Sequence, residues 1–196
     1  MSWFLRCPTC ADRCELPKLL GPGSVAVEVG VMHGNYSREL LSRWPDKLRM
    51  LHLIDPWRDS LDYSFTGMFT GFHHQDHAHN HKVAMEAVEP FADRCRVWRE
   101  RSSWELAERI GPVDLVYIDG NHAFQHVAHD MNVWWEHLRP GGVLAGHDLF
   151  TLDYPGVTEA IVLFAHERRR PVCIVGGRDG CPCGEGGVPS WYFRKD

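Results

Sequence analysis

Nowhere in the 196 residues is there an apolar run approaching the roughly 20 residues of a membrane span, which argues against a membrane-crossing protein. The N-terminus lacks the apolar core of a secretory leader, because Cys7-Pro8-Thr9-Cys10 interrupts it, so a cytoplasmic location is expected. Basic charge is also scarce. With 21 Lys and Arg against 26 Asp and Glu, the net charge is -5. That argues against a general nucleic-acid or membrane-surface binder, since phosphate surfaces are held mainly by Lys and Arg. The one basic run, Arg168-Arg169-Arg170, reads as the solvated end of a helix, where positive charge suits the helix dipole. There is no internal repeat and no long low-complexity segment. What remains, 44% apolar and 24% charged residues, is the composition of a soluble globular chain. The length suits one domain spanning 1–196, with an N-terminal extension over 1–20.

Apolar runs and amphipathic stretches alternate along it. Ser24–Val29, Met50–Ile54, Arg96–Arg99, Val113–Ile118, Val143–Gly146, Val172–Val175 and Trp191–Arg194 are predicted strands. Ser37–Trp44, His74–Val88, Trp104–Ile110, Ala123–Leu138 and Val157–Arg168 are predicted helices. Pro45 stops the first helix, and Pro140-Gly141-Gly142 closes the fourth. Trp134 and Trp135 lie mid-helix, and at least one belongs in the core. Strands separated by helices imply right-handed βαβ units, hence an α/β fold: a doubly wound, mostly parallel seven-stranded sheet with helices on both faces. The last two strands have no helix between them and form a hairpin, one of them antiparallel. Ligands in such sheets bind at the carboxyl ends of the strands, where the strand order reverses. That edge carries Glu28, Gly30, Asp55, Asp119 and Asp148.

Cysteine and histidine are unevenly spread. Cys7, Cys10 and Cys14 cluster near the start, and Cys181 and Cys183 sit in the Gly-rich stretch Gly176–Gly187. Zinc would need the two ends to meet, and a one-residue spacer is short for a structural site, so free thiols are the simpler expectation, ahead of a disulfide and then of zinc. His73, His77 and His81 share a helical face, with His74 nearby, and suit either a transition metal or an exposed polar face. Residues 56–82 form an expected lid or acceptor segment, in which Trp57, Tyr63, Phe65, Phe69 and Phe72 alternate with Gly67 and Gly71.

The segment Glu28-Val29-Gly30-Val31-Met32-His33-Gly34 follows the first predicted strand and opens the first helix. Glycine there lets backbone approach a ligand closely. Met32 occupies the place where a dinucleotide fingerprint needs its second glycine, which argues against an NAD-dependent oxidoreductase. Glu28 is a poor neighbour for a diphosphate and suits a cationic ligand. Asp55 can accept both hydroxyls of a ribose. E-x-G-x-x-x-G with an acid closing the next strand resembles the opening motifs of class I S-adenosylmethionine-dependent methyltransferases. Asp119-Gly120-Asn121-His122, Asp130 and Pro140-Gly141-Gly142 through Asp148 resemble the branch of macrocin-type sugar O-methyltransferases and cephalosporin hydroxylase-like proteins.

That resemblance, over about residues 24–166, implies a Rossmann-like fold and a set of roles. Glu28, Gly30 and Gly34 would frame the methionine and ribose of the cofactor. Asp55 would bind the ribose diol, Arg101, Ser102 and Ser103 would lie at the adenine, and Asp119 near the sulfonium. Asp119 and Asp148, at the ends of adjacent strands, can converge on a hard cation such as Mg²⁺. Relatives carry a carboxylate before the last Asp, whereas this chain has His147, which suits Mn²⁺, Fe²⁺ or Zn²⁺, or acts as a base without metal. The metal set expected is Asp119, His147 and Asp148. His122 is the candidate general base beside Asp119, with Asp130 anchoring either His122 or its own helix. The expected activity is metal-assisted O-methylation of a small hydroxylated acceptor. A cephalosporin hydroxylase-like enzyme of another reaction and a non-catalytic cofactor- or metal-binding protein are the alternatives. The expected partners are a small-molecule acceptor, no nucleic acid and no membrane, with monomer and homo-oligomer both compatible.

Overall fold

Ser24–Val29 is buried at all six positions, a β-branched run with no solvent face, as a central strand covered on both sides requires. The computed structural model describes residues 3–58, 76–176 and 187–196. In chain order its strands are β1 (Phe4–Arg6), β2 (Ser24–Val29), β3 (Leu48–Ile54), β4 (Cys95–Trp98), β5 (Val113–Ile118), β6 (Leu138–Gly146), β7 (Val172–Gly176) and β8 (Pro189–Arg194). The α-helices are α1 (Asn35–Arg43), α2 (His77–Val88), α3 (Trp104–Ile110), α4 (Phe124–His137) and α5 (Pro155–Arg168), and a 3-10 helix covers Arg13–Leu19.

The strands form one sheet in the order β1-β7-β8-β6-β5-β2-β3-β4. β2 pairs in parallel with β3 and β5, and β5 with β6, while β8 runs antiparallel between β6 and β7. The order reverses between β2 and β5, so the turns that follow these two strands face each other at the carboxyl edge. Alternation along β2 sends Val25, Val27 and Val29 into a core with Leu106, Met131, Trp134 and Phe164 of α3, α4 and α5. Ala26 faces the other core, with Leu16 of the 3-10 helix, Leu40 and Leu41 of α1, and Ala84 of α2. Both Trp134 and Trp135 are buried.

Local chemistry sets the helix ends. The Ser103 hydroxyl accepts from the Leu106 N–H to cap α3, and Asp76 accepts from the His79 N–H to cap α2. Pro155 opens α5, where a missing N–H costs nothing. Arg168 ends that helix paired with Glu136, Arg169 takes the left-handed cap conformation, and Arg170 pairs with Asp196. The basic run is thus a helix terminus with local acidic partners.

Two expectations change. The described residues hold eight strands, because Phe4–Arg6 in the N-terminal extension pairs in parallel with β7, and the Cys7 N–H continues that ladder onto the Ile174 carbonyl. Pro140-Gly141-Gly142 is paired strand within β6, since Gly141 and Gly142 exchange backbone bonds with Lys195. The expected lid over 56–82 falls mostly outside the described residues, as do Tyr63, Phe65, Phe69, Phe72, Gly67, Gly71, His73, His74, Cys181 and Cys183.

Asp130 lies on the inner side of α4, buried, and bonds Ser102, whose hydroxyl also accepts from the Trp134 indole at 3.0 Å. It therefore ties α4 to the segment before α3, not to His122. Burial lifts its carboxyl pKa to about 7, with the Ser102 bond opposing that rise. The folded chain then holds a proton that the unfolded chain releases near pH ~4, so this group costs stability as pH rises from there to about 7. Asp130→Asn keeps the shape and removes the titration. Its melting temperature relative to wild type is expected to rise between pH 5 and pH 8, and a pH-independent difference in thermal melts would contradict this.

Candidate active site

The turn after β2 is shaped by what it cannot carry. Gly30 has φ +85°, and a Cβ there would overlap the Asp119 carbonyl and sit 2.5 Å from Gly120 Cα. The turns after β2 and β5 therefore touch backbone to backbone, also joined by the bond from the Asp119 N–H to the Val29 carbonyl at 2.7 Å. Gly34 (φ +74°) occupies the left-handed position that starts α1. Beneath the turn, Glu28 is buried and accepts from the Ser37 hydroxyl of α1. Burial pushes its carboxyl up to about 8, against the pull of the Ser37 bond. Glu28 thus braces the turn from below.

Asp55, past β3, organises the same turn from the side. One carboxylate oxygen accepts from the N–H groups of Val31 and Met32 at 2.9 and 3.0 Å, and the other from the Trp57 N–H at 2.8 Å. Trp57 is buried, and its indole donates to the Met32 carbonyl at 2.9 Å. Its ring meets His81 edge-on at 4.8 Å.

At the neighbouring strand ends, Asp119, His122 and Asp148 each turn a ligand atom into one space, all within 4.8 Å of one another. Among the described residues they are the only such group. His122 Nε2 lies 2.8 Å from Asp148 Oδ2 and 3.8 Å from Asp119 Oδ1. Tyr154 stacks on the imidazole at 4.2 Å with the planes 15° apart. The start of α5 presses on the same loop, where a Cβ on Gly156 would lie 2.6 Å from the Phe124 nitrogen and 3.0 Å from the His122 carbonyl. Burial disfavours a charged His122, but the nearby Asp119 and Asp148 carboxylates prevail and raise its pKa to about 9. The two carboxylates, each also paired with a second cationic or imidazole partner, favour the protonated form of His122. His122, the expected base, thus sits between the two acids at the strand edge.

The expected metal set joins Asp119 and Asp148 with His147. His147 Nδ1 lies 3.3 Å from Asp148 Oδ2, but the ring stands outside the converging group, and His122 takes the third place. His147 instead orients Asp148. Burial works against charge on His147, yet Asp148 raises its pKa above the ordinary value. Asp148 is held far below the usual carboxylate range, because its bonds to His122 and His147 outweigh its burial. Its backbone is left-handed (φ 59°), a conformation Asp tolerates better than most residues.

Residues 27–149 match a family profile described as a methyltransferase domain. The chain belongs to this methyltransferase family. Over 52 residues it is 44% identical to demethylmacrocin O-methyltransferase of Streptomyces fradiae, and over 51 residues 39% identical to mycinamicin VI 2''-O-methyltransferase of Micromonospora griseorubida. Each match takes in 26% of this chain and 13% of the relative, so it spans only about an eighth of those proteins' length. Among solved structures the fold is similar to CalS11, a calicheamicin methyltransferase, with TM-score 0.62 at 17% identity over 92% of this chain and 75% of that one. An O-methyltransferase from Bacillus cereus in complex with SAH is similar at TM-score 0.58 and 16% identity, over 88% of this chain and 74% of that one.

Within this methyltransferase domain the sequence-predicted residues gather unequally. Gly30, Asp55, Asp119 and Asp148 line one edge. Ser103 caps α3, and Ser102 bridges Asp130 and Trp134, so both hydroxyls have structural duties, while Arg101 is exposed. His77, His79 and His81 join no metal-ligand group among the described residues.

Sequence reasoning missed Arg13. Its buried guanidinium donates to Asp119 Oδ2 at 3.1 Å and to the Tyr117 hydroxyl at 3.2 Å, with the Tyr36 ring 5.0 Å away. One Asp119 oxygen is thus held by Arg13 while the other faces His122. Arg13 lies outside the matched span and 106 residues from its partner, and no spacing pattern marks it. Tyr154 was missed for the same reason.

Gly30→Ala tests the backbone contact. Left-handed strain together with a forced separation of the two turns is expected to cost more than about 2 kcal/mol. Urea unfolding would measure it, and an unchanged midpoint would refute the close approach.

Proposed function

We propose that the chain transfers a methyl group from S-adenosylmethionine to a hydroxyl of a small, sugar-like acceptor, with a divalent cation held by Asp119, His122 and Asp148. The observation that carries this is the convergence of that triad at the strand edge of a methyltransferase-family domain, beside the glycine turn. The named sugar O-methyltransferases support the acceptor class.

The residues present fit both groups. A carboxylate offers about four lone-pair sites, and Asp55 spends three on backbone N–H groups, which leaves capacity for a ribose hydroxyl. Gly30 keeps the β2 turn low, and the acids around it suit a sulfonium better than a phosphate. Two carboxylates and an imidazole form a mixed oxygen–nitrogen set that accepts Mg²⁺, Mn²⁺ or Fe²⁺ and leaves positions for acceptor oxygens. When bound, the cation would lower the pKa of an acceptor hydroxyl and orient it. Arg13 limits Asp119 to offering one oxygen. Tyr154 fixes the plane of His122, and His147 fixes Asp148. Methyl transfer is an in-line displacement, so this positioning supplies much of the rate.

A metal held through His122 would need its neutral imidazole, so binding would release any proton carried there. Titration calorimetry with Mn²⁺ is expected to show His122→Ala and Asp148→Asn each weakening binding by about tenfold or more. His147→Ala should weaken it less than either. Equal losses for His122→Ala and His147→Ala would return His147 to the metal set.

Calorimetry with S-adenosylmethionine tests the cofactor independently. Wild type should bind it and NAD should not compete. Asp55→Ala is expected to lose about tenfold or more in affinity for the price of one ribose contact. A wild-type chain that binds NAD and not S-adenosylmethionine would end this proposal.

A further inference from the structure

The N-terminal segment presents a pair of thiols that the methyl-transfer site does not use. Cys7 follows β1 and is half-buried, while Cys10, three residues on, is buried. The turn between them, Pro8-Thr9, is exposed. It folds back so that the Cys10 N–H donates to Cys7 Sγ at 3.2 Å. The Thr9 hydroxyl touches both sulfurs, at 3.4 Å and 3.8 Å. The Tyr192 hydroxyl of β8 donates to Cys7 Sγ at 3.6 Å. Cys10 Sγ is turned inward and donates to the Glu15 carbonyl at 3.4 Å.

These contacts split the pair into unlike members. Burial opposes ionisation of Cys7, but the Thr9 and Tyr192 hydroxyls and the N–H groups of Thr9 and Cys10 outweigh it and bring that thiol below its ordinary range. Burial pushes Cys10 up to about 12. A sulfur that is reachable and ringed by donors is the one that attacks, and a covered sulfur that shares the Thr9 hydroxyl with it is the one that resolves.

We propose that Cys7 and Cys10 form a reactive dithiol, a modification site in which Cys7 is attacked first by a low-molecular-weight disulfide and Cys10 then closes an intramolecular disulfide. In the first step the Cys7 thiolate bonds to one sulfur of the small disulfide and expels the other half as a thiolate. In the second, Cys10 gives its proton to that thiolate and attacks Cys7 Sγ, and the remaining half leaves as a second thiolate that takes up a proton from water. Two electrons pass from the pair to the small disulfide, which ends as two thiols. Neither step needs a metal or the methyl donor.

Closure would withdraw Cys10 Sγ from the Glu15 carbonyl, inside the 3-10 helix that begins at Arg13. Arg13 in turn holds Asp119. Cys10 therefore stands three residues before Arg13, the guanidinium that pairs with Asp119.

The test uses the whole chain equilibrated with oxidised and reduced glutathione, quenched by alkylation and cut with trypsin. Cleavage after Arg6 and Arg13 releases Cys7–Arg13, which contains Cys7 and Cys10 and no other cysteine. The expected result is that peptide lighter by two hydrogens and resistant to alkylation. Cys10→Ser should instead accumulate a mixed disulfide with glutathione on Cys7, and Cys7→Ser should leave Cys10 alkylatable only after unfolding. In the reduced native chain, Cys7 should alkylate at least about tenfold faster than Cys10. Pairing of Cys7 with any other cysteine would overturn the proposal. So would reduced thiols on this peptide under the oxidising mixture, or thiols that react only after a chelator removes a bound metal.

Discussion

Four carboxyl groups meet at one edge of a parallel sheet, and the fold must keep like charges from driving that edge apart. In a partly buried setting such repulsion is far stronger than in water. Each acid is answered differently. Glu28 is buried where its neutral form is favoured, beside Ser37. Asp55 accepts from three backbone N–H groups of the turns it joins. Asp119 receives a buried guanidinium, and Asp148 two imidazoles. The partners come from the N-terminal 3-10 helix, α1, the β2 turn and the loops after β5 and β6. Much of the tertiary arrangement can be understood as the delivery of these partners to one place.

The same edge concentrates unusual backbone. Met32, Trp57, Asp148 and Phe150 all have positive φ although none is glycine. Each such residue stores strain that neighbouring contacts must hold. For Met32 and Trp57 the holding contacts are mutual, since the Trp57 indole bonds the Met32 carbonyl while Asp55 bonds both residues' N–H groups. Rigid loops are what an in-line displacement needs, because misplacing a reacting atom by even an ångström is costly.

Most of the sheet could be read from local pattern. The bounds of β2, α3 and β5 are those expected, because a short apolar run or a cap-to-glycine helix states its own limits. The acids at strand ends were legible for the same reason: parallel topology sends every such terminus to one edge. Partnership across long separations was not legible. Arg13 looks like any polar residue between cysteines until the chain folds its 3-10 helix against Tyr36 and Tyr117. His122 and His147 are both three or fewer residues from an acid, and only the geometry separates the one that joins the triad from the one that supports it. The strand β1 was missed because three residues carry too little periodicity to announce themselves.

Among the described strands, the β1–β7 pair is joined to the other five only through β8, which lies between β7 and β6. A growing chain that has reached Gly176 can assemble β2 to β6, but its outer pair has no place to dock. Phe4 must wait for Val172 to exist, and both must wait for Trp191 to bridge to Gly146. Contacts of such long sequence separation form late and set the pace of folding. The acids at the edge are therefore presented by the inner strands, while the segment that carries Arg13 is tied to the sheet through β1, β7 and β8. The site thus depends on contacts from both ends of the described chain at once.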